Sequence, residues 1–67
     1  MAKPLTLREK EILVLLAEGQ SNHAVAERFG ISVRTVEAHR ARVMWKLQCR
    51  NVVEMVRYAM RNGFIKP

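Results

Sequence analysis

Residues that start and stop helices divide this chain of 67 residues into four short segments, and this division constrains the fold more than any other feature. Thr6 with Glu9 three residues later is the pattern of a capping box, and Ser32 and Asn51 stand where later helices could begin. A glycine follows the first, second and fourth segments, as in helices that end in a left-handed residue. The connections are a few residues each, so we expect a single compact all-α domain over residues 1–67. The predicted helices cover about residues 7–18, 22–29, 33–47 and 51–62.

The composition and the missing motifs exclude several classes of function. The single cysteine, Cys49, cannot form a disulfide framework, which fits a reducing compartment. No apolar stretch approaches the roughly 20 residues of a membrane-spanning helix, so we expect a cytoplasmic protein with no membrane partner. The sequence has no nucleophile motif, paired carboxylates or metal-ligand spacing, and we therefore expect no catalysis, no cofactor and no metal site. It also lacks aspartate, the phospho-acceptor of a receiver domain.

Positive charge is concentrated in the third segment. The chain has a net charge of +6, and the stretch from Arg34 to Arg50 holds five basic residues against Glu37 alone. About a quarter of the sequence therefore carries most of the net charge. Such a cluster predicts a polyanionic partner, whereas many charge runs are only a solvated face.

The spacing of Ala26, Gly30 and Val36 is typical of a helix-turn-helix. Two helices that cross steeply need a small residue at their closest approach, a residue that tolerates positive φ in the turn, and a branched apolar residue on the second helix. These three residues meet those needs in order. An ordinary corner between two helices is the alternative, but it has no need of the basic helix that follows here.

The predicted third helix has an apolar face and a small, basic face. Val36, Val43 and Leu47 fall on one side at helical spacing. Trp45 falls on the other side. So do the side chains that we expect to face DNA bases, namely Arg34, Glu37, Ala38 and Ala41.

That basic face suits the major groove of DNA, which admits a helix only if its leading face lacks bulk. The two alanines supply this clearance and could touch thymine methyl groups. Arg34 could reach a phosphate or a guanine edge, and Glu37 could accept a hydrogen bond from a cytosine amino group. Arg40 and Arg42 flank the face and would hold the helix through phosphate contacts. The alternative is that the alanines only favour helix formation and the arginines only face solvent.

Three motifs carry a resemblance to a known family. They are "LTLREKEIL" at residues 5–13, "SNHAVA" at 21–26 and "ISVRTVEAHR" at 31–40. With them, the chain resembles the DNA-binding domain of LuxR-type regulators, the group that includes FixJ, NarL and GerE, over roughly residues 5–65. The resemblance implies a four-helix fold whose third helix, 33–47, is the recognition helix in the major groove.

The resemblance also implies roles for individual residues and for the larger protein. In relatives, the residues matching Glu37, Ala38 and Ala41 face the bases. The residues that lie near phosphates or support the helix match Ser21, Asn22, Ser32, Arg34, Thr35, His39 and Lys46. Most members attach this domain to a receiver or ligand-sensing domain, so we expect the C-terminal effector domain of a two-component response regulator.

Three positions depart from the family's pattern. Ala41 stands where several relatives carry a longer polar residue, which makes base readout there weaker or purely steric. Gln48 replaces the usual glycine, and a positive φ at this residue would cost about 1 kcal/mol. Trp45 is bulkier than the usual occupant, and it could either rest against the sugar-phosphate backbone or pack under the fourth helix.

The predicted fourth helix has more apolar surface than one small core requires. A second copy of the same helix could cover the surplus, and the resemblance implies that this helix commonly forms the dimer contact. We therefore expect a homodimer on DNA through Val53, Val56, Tyr58 and Met60. The alternative is that Phe64 and Ile65 fold back and cover the same surface.

Sequence-specific binding of double-stranded DNA in transcription regulation is thus the leading hypothesis, with RNA polymerase as a candidate further partner. Region four of a sigma factor has a similar helix-turn-helix opening, but it has no need of the broad apolar face of the fourth helix. A helical protein-interaction module, whose basic face binds an acidic protein, is the alternative from a different class.

Overall fold

The computed structural model describes residues 4–66, and capping side chains define where its helices begin. At each start, an oxygen of the capping side chain accepts a hydrogen bond from the backbone N–H three residues later, at 3.0–3.1 Å. The capping residues are Thr6, Ser21, Ser32 and Asn51. The helices are α1 (Leu7–Ala17), α2 (Asn22–Phe29), α3 (Val33–Leu47) and α4 (Val52–Arg61).

The helix boundaries agree closely with the sequence patterns. The predicted capping box is present, because the Thr6 N–H also donates to Glu9 Oε1 at 2.9 Å. α2 and α3 have the predicted bounds, whereas α1 ends one residue earlier than predicted and α4 is one residue shorter at each end. Asn51 is the cap of α4 rather than part of it, and Asn62 has already left helical geometry at φ −99° and ψ 10°. The described residues contain no strand, and the all-α, four-helix prediction is confirmed.

Two clusters of buried side chains form the core, and α1 contributes to both. Adjacent α1 residues, Ile12 and Leu13, belong to different clusters, and Leu16 packs against both. The first cluster joins α1 to the helix-turn-helix through Ile12, Val25, Ala26 and Val36. The second joins α1, α3 and α4 through Leu13, Val43, Met55 and Ala59. The third helix is therefore held from both clusters.

The turn between α2 and α3 has the geometry that the sequence predicts. Ala26 and Val36 are buried where the two helices meet, and Gly30 between them is left-handed at φ 65°. The N–H of Ile31 donates to the carbonyl of Ala26 at 3.0 Å and closes the end of α2. The helix-turn-helix is confirmed as the packing unit that positions α3.

The C-terminal residues partly cover the apolar surplus of α4. Phe64 and Ile65 fold back onto the second cluster, and the Phe64 ring stacks on Tyr58 with 6.2 Å between ring centroids. Val53 nevertheless remains 61% exposed, and its neighbour Val52 is exposed as well. The alternative of a folded-back C-terminus is thus realised over one part of α4 and not over its first turn.

A buried ion pair fastens α3 to the start of α1. Lys46 Nζ lies 2.7 Å from Glu9 Oε1, and the two side chains are only 11% and 1% exposed. Burial raises the pKa of the Glu9 carboxyl, but the hydrogen bond from Lys46, its charge and the hydrogen bonds from Thr6 outweigh burial. The pKa of Glu9 therefore lies below its usual value. Among the described residues, Glu9 is the one buried charged side chain.

Replacing Glu9 by glutamine tests this pair through the pH dependence of stability. At neutral pH we expect the free energy of unfolding to fall by about 3 kcal/mol, because Lys46 would stay buried without a counter-charge. The folded-state pKa of Glu9 is lowered, so its contribution is complete above the unfolded pKa of about 4.5 and is lost as the pH falls through the folded pKa. The difference from wild type, measured by urea denaturation, should therefore shrink below that pH.

The matched control is Glu11→Gln, since Glu11 lies on the same helix, is exposed, and pairs only with exposed Arg8 at 3.9 Å. We expect a change within about 0.5 kcal/mol at every pH. A Glu9→Gln deficit that stays the same from neutral to acid pH would contradict the assigned role of the pair.

Gln48, the residue that follows α3, ends the helix in a left-handed conformation. It has φ 56°, and it is the one non-glycine residue with positive φ among residues 4–66. Gln48→Gly should raise the free energy of unfolding by about 1 kcal/mol, because glycine adopts this conformation without the steric cost of a Cβ. Gln20→Gly is the control in an exposed connection with no positive φ, and it should not stabilise. Equal effects in urea denaturation would refute the explanation.

Candidate nucleic-acid interface

The side of α3 opposite the core is fully open to solvent. Val36 and Val43 are completely buried, and the 3.6-residue helical period turns Glu37, Ala38, Ala41 and Arg42 outward, while His39 and Arg40 are half-buried at the margins. All four predicted base-facing residues lie on this outer face, together with Thr35, Arg42 and Trp45. The structure therefore brings the four predicted residues together, and we call the exposed side of the helix from Arg34 to Trp45 the α3 outer face.

The α3 outer face is small at its centre and basic at its ends. Ala38 and Ala41 leave the middle of the helix without a bulky side chain, while Arg34 and Arg42 lie on either side of them along the chain. Within residues 4–66, the ion pairs involve Arg8, Lys46 and Arg50 as cations, so neither of these two arginines is neutralised by a carboxylate. A free guanidinium is available for an external anion.

The beginning of α3 is fixed by two hydroxyl groups for which the resemblance implies a place near phosphates or a role in supporting the helix. Ser32 Oγ accepts from the Thr35 N–H at 3.0 Å and also lies 2.9 Å from Thr35 Oγ1. Both residues are exposed. Their mutual hydrogen bond orients the hydroxyls at the positive end of the helix dipole, where an anion is stabilised.

A second group of predicted backbone-contacting residues meets at a shallow recess of about 220 Å³. Ser21 and Asn22, at the start of α2, line it together with Arg40 of α3. Val52, at the start of α4, lies on its rim. The recess thus combines a guanidinium with the N-terminus of α2, which is a suitable arrangement for an anionic oxygen.

The opposite margin of α3 holds His39 and Lys46, two residues for which the resemblance implies a place near phosphates or a role in supporting the helix. Lys46 is occupied by Glu9 and largely buried, so its surroundings favour a structural role over the predicted DNA-backbone contact. His39 is half-buried, and its Nδ1 is enclosed without a hydrogen-bond partner among the described residues. Only its Nε2 is left to meet a ligand from solvent.

Trp45 is 70% exposed, which excludes one of the two positions that the sequence left open. Its side chain does not pack under α4, because it lies on the side of α3 opposite the buried face. Helical spacing puts Trp45 in line with Ala38 and Ala41, one to two turns further along the helix.

Other chemistry finds no support in the described part of the chain. No three His, Cys, Asp or Glu residues among residues 4–66 are grouped as metal ligands. Burial and the nearby charge of Glu54 raise the pKa of the Cys49 thiol, which disfavours the reactive thiolate. Within the same residues, no helix has the length and apolar character needed to cross a membrane.

Comparisons with known proteins agree with this geometry. The family model described as bacterial regulatory proteins, luxR family, matches residues 3–59. The oxygen regulatory proteins NreC of Staphylococcus epidermidis and Staphylococcus aureus are each 42% identical to the chain over 64 residues. The match covers 96% of this chain but only 29–30% of those proteins, so the chain spans about three tenths of the length of these relatives. No solved structure matches the chain.

Proposed function

This chain belongs to the luxR family of bacterial regulatory proteins, a family of DNA-binding transcription regulators, and we propose that it reads DNA by placing α3 in the major groove. The observation that carries the proposal is the α3 outer face, where two alanines lie between arginines that no carboxylate of residues 4–66 neutralises. The family match favours this function over region four of a sigma factor and over a module that binds an acidic protein. We propose no catalytic step.

The residues of the α3 outer face divide into two roles. Ala38 and Ala41 allow the helix axis to approach the base edges and can contact thymine methyl groups. Glu37 accepts a hydrogen bond from a cytosine amino group, and Arg34, in the first turn, donates to a guanine edge or to a phosphate beside it. These contacts read sequence because each base pair presents a distinct pattern in the major groove.

The phosphate contacts come from both sides of the helix. Arg42 lies beside the alanines, and Arg40 acts with Ser21 and Asn22 across their shared recess. Ser32 and Thr35 approach a phosphate at the start of α3, and His39 does so through Nε2. These contacts fix the position of α3 on the duplex without reading sequence. We leave Lys46 out of this set because it holds Glu9.

The larger assembly is also part of the proposal. Since the chain matches about three tenths of the length of the NreC proteins, we propose that it acts as the C-terminal effector domain of a two-component response regulator. We also propose that it acts in the cytoplasm of a bacterium, where DNA would be available to it. RNA polymerase remains a candidate partner, with no particular surface assigned to it.

The exposed start of α4 supports a homodimer on DNA. Val53 is the predicted dimer residue with the most exposed side chain, while Val56, Tyr58 and Met60 are half-buried. The contact we propose is therefore centred on Val53 and its neighbour Val52, with the other three residues at its edge. Two such subunits would place their recognition helices at half-sites about 34 Å apart, one turn of DNA.

Substitutions at Arg42 and Glu37 distinguish phosphate contacts from base reading. Arg42→Ala should weaken binding to all duplexes alike and lower the slope of log K against log salt concentration by about 0.9, the value of one lost phosphate contact. Glu37→Ala should instead relax the preference at one base pair by about 1–3 kcal/mol. Fluorescence anisotropy with a duplex selected from a random pool, and with its single-base variants, measures both effects.

Arg28→Ala is the control for Arg42, because Arg28 is an exposed arginine that lines a recess between α1 and α2 instead of the α3 outer face. Its binding should match wild type at every salt concentration. An equal loss at every base pair for Glu37→Ala would contradict the role of Glu37.

A charge on α4 tests the dimer. Val53→Glu should leave the fold intact because the side chain is exposed, but it should abolish cooperative binding to paired half-sites and spare binding to a single half-site. Leu7→Glu is the matched control, since Leu7 is an exposed apolar residue of α1. Sedimentation with DNA carrying two half-sites gives the stoichiometry. Monomers alone on such DNA for the wild-type chain would refute the dimer.

A further inference from the structure

A large apolar side chain at the end of the α3 outer face is left mostly uncovered by residues 4–66. Trp45 is the only tryptophan of the chain, and at 70% exposure most of its indole lies in water. A tryptophan that is fully covered removes about 150–250 Å² of surface from water. Because Trp45 is mostly exposed, the folded chain gains little of the hydrophobic free energy that burial of the indole would give. Its neighbours along α3 are Ala41 one turn before and Arg42 three residues before.

We infer that the indole of Trp45 packs against the sugar-phosphate backbone of the DNA at the edge of the groove that α3 occupies, with its Nε1–H donating to a phosphate oxygen. This inference rests on the proposed function and assigns a further binding residue to it. The indole offers an apolar ring face to the deoxyribose and a single hydrogen-bond donor to the phosphate.

A steric argument places Trp45 at the groove edge instead of on the bases. Seven residues separate Ala38 from Trp45, which puts the indole on the same line and about 10 Å further along the helix. If the whole helix lay on base edges, the indole would hold Ala38 and Ala41 away from them. A straight helix leaves the curved groove, which is about 12 Å wide, and its C-terminal half then meets the backbone of one strand.

The charge around Trp45 favours DNA over another protein as the partner. Arg42 lies on the same side of the helix, and the nearest residues in the following turn, Gln48 and Cys49, carry no acidic group. No carboxylate of residues 4–66 pairs with the guanidinium beside the ring, which suits a polyanion. In a two-fold contact through this surface, a second copy of the chain would instead bring its own Arg42 to the same place.

Because there is one tryptophan, its emission reports this position alone. With the wild-type chain, adding a duplex selected from a random pool should shift the emission to shorter wavelength and lower the acrylamide quenching constant. An unselected duplex at saturating concentration should do the same, since backbone packing does not depend on sequence. Emission that changes with protein concentration in the absence of DNA would show that a second copy covers the ring, and it would overturn the inference.

Substitutions at Trp45 measure how much its proposed backbone contact contributes to DNA affinity. We expect Trp45→Ala to raise Kd about tenfold for both duplexes, with the salt slope unchanged because no charge is removed. Trp45→Phe should recover most of the affinity. Leu7→Ala is the matched control, a second exposed apolar side chain on the side of α1 away from Glu9, and it should bind as wild type does. Anisotropy of labelled DNA gives each Kd, and circular dichroism should show unchanged folding.

The outcomes separate this inference from the function on which it rests. If the wild-type chain prefers no duplex over random DNA, the proposed function fails. Another outcome is that the wild-type chain binds a selected duplex, its acrylamide quenching constant stays at the value without DNA, and Trp45→Ala binds as tightly as wild type. In that case only the role of Trp45 fails. A Trp45→Ala loss confined to the selected duplex would mean base reading and would overturn the backbone contact.

Discussion

Two neighbouring residues of α1, Ile12 and Leu13, are completely buried in different clusters, and each of the other helices packs on at least one of them. A chain of 67 residues has too little interior for several independent cores, so it uses one helix to build both. The orientation of α3 follows from this arrangement, because Val36 packs with Ile12 while Val43 packs with Leu13. Once Val36 and Val43 are packed in the two clusters, the opposite side of α3 is the part of the helix that stays exposed to solvent.

The division of α3 between a supporting face and the face proposed for recognition is therefore sharp. Within one helix of 15 residues, Val36 and Val43 are completely buried and Lys46 pairs with the buried carboxylate of Glu9. The residues on the opposite side take no part in the core or in this ion pair. Lys46 shows that a basic residue on a helix proposed to read DNA can be committed to the fold instead. Net charge alone overstates the number of cations that such a helix can offer to phosphates.

Local features of the sequence were sufficient to predict most of this fold. Thr6, Ser21, Ser32 and Asn51 act within three residues of themselves, so their capping roles are readable without tertiary structure. Helical periodicity likewise assigns Ala38 and Ala41 to the exposed side. The pairing of Lys46 with Glu9 could not be predicted, because it joins residues far apart in sequence and depends on how α1 lies against α3. The position of Phe64 over Tyr58 depends in the same way on the path of the chain after α4.

The sharing of α1 between two clusters has a consequence for how the domain opens. α4 contributes to the second cluster only, and it packs chiefly on α1. The first cluster, by contrast, is complete without it. We therefore expect detachment of α4 to cost less free energy than global unfolding and to leave the helix-turn-helix assembled. The helix proposed for self-association would then unfold locally while the rest of the domain stays folded. Its amide protons should exchange with solvent earlier than those of the helices that hold α3 in place.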